Sequence, residues 1–158
     1  MALVRLLVDG YSLLHQWTEL APGASRFSAT AREALIRKLT EYRDATHTPI
    51  TIFFDGAGAP PGTPKMPTSP DLEVLFSKAG QTADEMIERV AFRMRPFGEV
   101  LVVTDDYAER DTVMNFGGLA CSCATFINQV DAAVGEMAVD LKAHNRREQE
   151  RFRRGKTT

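Results

Sequence analysis

Cysteine is scarce in this chain, and its two residues sit together as Cys121 and Cys123 in ACSC. A C-x-C pair within a strand-like stretch makes a poor disulfide and only half of a tetrahedral zinc site. Two reduced, packed thiols in a cytoplasmic protein are expected instead. The histidines His15, His47 and His144 are scattered, which excludes the usual zinc-ligand spacings. No apolar run approaches the ~20 residues that span a bilayer, so no membrane partner is expected. The first residues lack a basic n-region and a cleavage signature, and no secretion signal is expected. A strong charge of one sign is missing too: the formal net charge is −2. That argues against strong non-specific phosphate binding over the whole surface. The charge is nevertheless uneven. From Arg146 onward, RREQERFRRGKTT has six basic and two acidic residues, +4, which leaves −6 for the rest. A basic end on an acidic body either attracts nucleic acid or is a solvated helix end.

What is present is alternation. At 158 residues, with 44% hydrophobic and 25% charged side chains, the chain is sized for one domain with a real core. LVRLLV (Leu3 to Val8) reads as a buried strand interrupted only by Arg5. SATAREALIRKLTEYRD reads as a helix, with Thr30 and Glu33 as a capping box. ITIFF is a second strand, and GAGAPPGTPKMPTSP is a loop by its Gly and Pro content. LEVLFS is a third strand, and TADEMIERVAFRMR is a helix ended by Pro96 and Gly98. EVLVVT is a fourth strand. A short helix near Tyr107 to Asn115, a short strand at GLACS and a last helix from near Thr125 complete the chain. Strands alternating with helices predict a three-layer α/β/α sandwich around a mostly parallel sheet. One domain is expected over residues 1–145, with 146–158 as a basic helix end or tail.

In such folds the ligand site lies beyond the carboxyl ends of the strands. The acids fall there. Asp9 ends the first strand, Asp55 ends the second, and Asp105 and Asp106 end the fourth. Asp84 enters the first turn of a helix. Carboxylates that converge repel unless a cation lies between them, and hard oxygen ligands suit Mg²⁺ or Mn²⁺. Each acid also has a structural reading: Asp84 in the first turn of a capped helix, Asp106 with Glu109 as another cap, Asp55-Gly56 as a turn. Asp9 is the hardest to dismiss, because Gly10 and Tyr11 do not begin a convincing helix.

Other chemistries fail on spacing. GYSLL lacks the second glycine of a nucleophile elbow. A second acid two residues after Asp9, as an aspartyl-nucleophile phosphatase would want, is replaced by Tyr11. PGTPK is not a P-loop, and no helix can follow GAGAPPG as a dinucleotide fingerprint requires.

LLVDGYSLL, FFDG, TADEMIERV and VVTDDYAER, in this order and spacing, resemble the YacP-like branch of the NYN domains, which are PIN-like, metal-dependent ribonucleases. The resemblance implies a PIN-like fold and endonucleolytic RNA cleavage, with Asp9, Asp84 and Asp106 as catalytic acids and metal ligands. One or two Mg²⁺ or Mn²⁺ ions are implied. Asp105 and Asp55 are further candidate ligands, and Asp111 is an extra acid. The family usually has Asn where Ser12 stands and Ser where Asp105 stands. These departures motivate an alternative: a non-catalytic RNA- or ribonucleoprotein-binding module with a degenerate acid site. A hydrolase acting on small nucleotides is a third option. The expected partner is single-stranded mRNA, with a larger machine such as the ribosome as a candidate for presenting it. Candidate substrate contacts are Ser12, Tyr11, Trp17, Tyr107 and the loop from Gly56 to Pro70, since single strands are gripped by stacking. Arg26, Lys65, Lys78 and Arg110 are candidate phosphate contacts.

Overall fold

The computed structural model describes residues 3–56 and 69–155. Lys65 and most of the Gly- and Pro-rich loop lie outside the described residues. Five strands form one parallel sheet in the order β3-β2-β1-β4-β5. The strands are β1 (Leu3–Asp9), β2 (Ile50–Phe54), β3 (Leu72–Phe76), β4 (Glu99–Val103) and β5 (Leu119–Cys121). The helices are α1 (Gly10–Gln16), α2 (Ala29–Thr46), α3 (Ala83–Met94), α4 (Tyr107–Asn115) and α5 (Cys123–Gly155). The order reverses at β1, so the crevice between the ends of β1 and β4 is the switch point where such sheets bind ligands.

Alternation along each strand splits the core into two layers. Leu6, Val8, Ile50, Ile52, Phe54 and Val103 face α1, α2 and α5, where they meet Leu13, Leu35, Leu39 and Phe126. Leu7, Phe53, Val100 and Val102 face α3 and α4, where they meet Ala83, Ile87, Ala91 and Val113. This is the expected α/β/α sandwich. Arg5 is tolerated in β1 because its guanidinium is satisfied. It donates to Thr51 Oγ1 at 3.0 Å and the Pro70 carbonyl at 2.8 Å, and it pairs with Glu73 at 3.4 Å.

Three local expectations are corrected. A helix does begin at Gly10: Asp9 caps it, its carboxylate accepting from the Ser12 N–H at 3.4 Å. Glycine is needed there, because a Cβ would lie 2.4 Å from the Phe54 ring. The cap of α2 is Ser28, which accepts from the Ala31 N–H, rather than Thr30. The last helix begins at Cys123, two residues before Thr125, because Asp105 supplies an acceptor from another loop. That helix also runs without a break through residue 145. Both cysteines are free thiols.

Candidate metal centre

Asp9 follows Leu7 in the alternation, so its carboxylate projects on the α3/α4 face of the sheet. Both helices bring their first turns to it. Thr82 caps α3, accepting from the Glu85 N–H at 3.1 Å, and this sets Asp84 in the first turn. Asp106 caps α4, accepting from the Ala108 and Glu109 N–H groups at 2.9 and 3.3 Å. Glu109 thereby falls one helical turn before the core residue Val113, and points inward as Val113 does. Ligand oxygens of Asp9, Asp84 and Glu109 all lie within 4.8 Å of one another.

The electrostatics of this trio are unfavourable without a partner. Glu109 is 2% exposed, and neither of its buried carboxyl oxygens has a well-formed hydrogen bond among the described residues. Such a group must keep a proton or gain a cation. Burial and the neighbouring Asp84 push Glu109 up to about 9. Burial, and then Asp84, push Asp9 up to about 6. Burial also raises Asp84; Glu109 offsets part of that rise and Asp106 adds to it. The N-termini of α3 and α4 favour anions by about 0.3–1 kcal/mol. The upward shifts show that burial and mutual repulsion outweigh that help. The donor set, three convergent carboxylates with orphaned oxygens, fits a hard divalent cation.

The other predicted acids are held apart from this trio. Asp106 borders it, since its charge raises Asp9 and Asp84, while its Oδ1 is committed to the α4 cap. Asp105 turns away: its Oδ1 accepts from the Cys123 N–H at 2.9 Å, and its own N–H donates to Ser12 Oγ at 3.2 Å. Ser12 Oγ also lies 3.6 Å from Cys123 Sγ. Burial pushes that thiol up to about 12, which leaves it a neutral packing group. Asp55 borders the trio as well, since its charge also raises Asp9 and Asp84, and it accepts from the Ser77 hydroxyl at 3.1 Å. Asp111 is exposed on α4.

The aromatic candidates separate too. Trp17 is buried, and Tyr11 packs against Phe27 and Phe54 at 5.0 and 4.9 Å. Tyr107 is 76% exposed, with the Arg110 guanidinium over its ring at 4.2 Å. Tyr107 and Arg110 flank the acids from the first turn of α4. Lys78 is exposed after β3, and Arg26 lies over Phe27 at 4.7 Å. Sequence reasoning weighed Glu109 only as half of a capping box. Its signal was its place four residues before Val113, on the apolar stripe of α4. The N–H of Asp106 donates to Thr104 Oγ1 at 3.2 Å, so Glu109 is not drawn back into a box.

Comparison with known proteins agrees with this fold. Residues 6–156 match the model of the YacP-like NYN domain. The protein YacP of Bacillus subtilis (strain 168) is 33% identical over 127 residues, covering 80% of this chain and 74% of YacP. A crystal structure of a tryptophan-to-leucine mutant of Rae1 (YacP) from Bacillus subtilis superposes with a TM-score of 0.74 at 28% identity. It covers 90% of this chain and 84% of that one. A second Rae1 (YacP) crystal structure gives a TM-score of 0.69 at 27% identity, covering 98% of this chain and 96% of that one.

Proposed function

The chain belongs to the YacP-like NYN domain family, and on that premise we propose that it is a metal-dependent endoribonuclease acting on single-stranded RNA. The observation that carries the reading is the convergence of Asp9, Asp84 and Glu109, with Glu109 buried and lacking donors. These three carboxylates would hold Mg²⁺ or Mn²⁺, with Asp106 at the border. When bound, the cation supplies Lewis acidity towards a phosphodiester and lowers the pKa of a coordinated water. The net reaction adds water across one P–O bond: one fragment keeps the phosphate and the other leaves with a hydroxyl.

The chain's own residues orient and bind. The Ser12 N–H fixes one Asp9 oxygen, and the Asp106 cap fixes the turn that aims Glu109 inward. The outer face of Tyr107 offers a stacking surface for a base, and Arg110 beneath it offers a cation to a phosphate. Lys78 supplies a second exposed cation beyond β3.

The non-catalytic reading took its motive from Ser12 and Asp105. Those two residues form a scaffold with Cys123 at the start of α5 and leave the acid trio intact. We therefore favour catalysis. The test is Asp9→Asn with a labelled single-stranded RNA and added Mn²⁺. Cleavage is expected to vanish in the variant and, for the native chain, in EDTA, while circular dichroism stays native. Full cleavage under both conditions would end the metal mechanism.

A further inference from the structure

Helix α5 outgrows the body it belongs to. Its buried residues are Cys123, Phe126 and Val130, all near its start. Every residue from Ala138 to Gly155 is exposed. At 1.5 Å per residue this arm is about 27 Å long. Its sequence is rich in Ala, Leu, Lys, Arg, Glu and Gln, which hold a helix without tertiary help. Six cations lie along it: Lys142, Arg146, Arg147, Arg151, Arg153 and Arg154. At 100° per residue they occupy one half of the circumference, with Asp140 and Glu150 among them and Glu148 on the other half. Arg151 reaches Glu148 at 3.4 Å, an exposed pair that contributes little.

Charge separation gives this arm a purpose. The body carries the −6 and gathers acids at its rim, which repels a polyanion. Resting on the ribonuclease reading above, we infer that the α5 arm docks on the phosphate backbone of double-helical RNA. A rigid row of guanidinium groups suits a rigid phosphate lattice, and arginine forks match phosphate oxygens in pairs. A bilayer is a poor fit. The face opposite the cations has Leu141 and Phe152, but Asn145 and Glu148 lie between them, so no continuous apolar stripe exists to insert.

The test uses the full chain in EDTA and an RNA hairpin whose binding is followed by fluorescence anisotropy across a KCl series. The variant Arg146→Gln/Arg147→Gln/Arg151→Gln/Arg153→Gln keeps helix propensity and removes four charges. It is expected to bind the hairpin at least about 10-fold more weakly. Its log–log salt slope should fall by roughly 3–4. The matching Arg→Lys variant should stay within about 3-fold of native, which separates charge from misfolding. Cleavage of a short single-stranded RNA with Mn²⁺ should be unchanged in both. Unchanged hairpin affinity in the Gln variant overturns the proposal. So does equal native affinity for an unpaired strand, or tighter binding to phosphatidylserine vesicles than to the hairpin. Arm-dependent hairpin binding by a chain that cleaves nothing sustains the docking and sinks the nuclease reading. Cleavage with arm-independent binding does the reverse.

Discussion

The rim of the sheet carries two kinds of acid. Asp55, Asp105 and Asp106 each meet a donor: a serine hydroxyl, the first N–H of α5, and the first turn of α4. Asp9, Asp84 and Glu109 face one another instead, and Asp9 also takes the long contact from Ser12. The first set is finished without help from outside. The second set is stable only with protons or a cation between its members. Position at a strand end does not distinguish the two kinds. The supply of donors does.

Glu109→Gln breaks the comparison most sharply. It removes a buried ionisable group and a ligand together. Mn²⁺ affinity measured by calorimetry should fall more than about 100-fold, beyond the 10–100-fold typical of losing a ligand's supporting partner. The metal-free variant should melt higher than the native chain at pH 8, because glutamine is neutral without having to take up a proton on folding. A cap residue behaves in the opposite way, losing stability and keeping metal. A melting temperature that falls while Mn²⁺ affinity holds would place Glu109 with the structural acids.

The same asymmetry predicts a pH dependence. Glu109 rises from an ordinary 4.5 to about 9 and Asp9 from 3.8 to about 6 on folding. An acid with a raised folded pKa holds its proton longer in the folded state than in the unfolded one. Its contribution is complete below the unfolded value and is lost as pH rises through the folded value. The metal-free protein should therefore lose stability steadily between about pH 4.5 and 9. Mn²⁺ should raise the melting temperature more at pH 8 than at pH 5, since ligands must shed protons to bind. A flat profile in chelator means the trio is not buried as described.

Much of this was legible in the letters. Short apolar strands between amphipathic helices marked the layers, the strand-end rule collected Asp9, Asp55, Asp84, Asp105 and Asp106 at one rim, and the family resemblance singled out Asp9, Asp84 and Asp106. Glu109 escaped because Asp-x-x-Glu reads locally as a capping box. The Asp106 N–H is taken by Thr104 Oγ1, two residues earlier, and this frees the glutamate to turn inward. Asp105 was grouped with the metal candidates because its donor, the Cys123 N–H, comes from 18 residues away. The α1 start was missed because Gly10 disfavours a helix on its own; the Phe54 ring, 44 positions along the chain, is what demands glycine there. Contacts between distant segments decide the last two, and no local pattern records them.

Gly10→Ala tests how far the fold's tightness serves the acids. The added methyl meets the fully buried Phe54, whose edge has no room to retreat. Overpacking of this kind costs about 1–3 kcal/mol. Because Gly10 follows Asp9 directly, the strain also moves a ligand, and Mn²⁺ affinity should drop along with the denaturation midpoint.

Asp105→Ala should give the smallest effect and the cleanest contrast. It deletes the acceptor for the α5 N-terminus and leaves the trio untouched. Losing one cap costs about 1 kcal/mol, or about 2–4 °C in melting temperature for a chain of this size. Mn²⁺ affinity should stay within about 2-fold. Asp105→Ser, whose hydroxyl can still accept from the Cys123 N–H, should recover part of the lost stability. If Asp105→Ala instead abolishes metal binding while melting normally, the division between completed and incomplete acids is drawn in the wrong place.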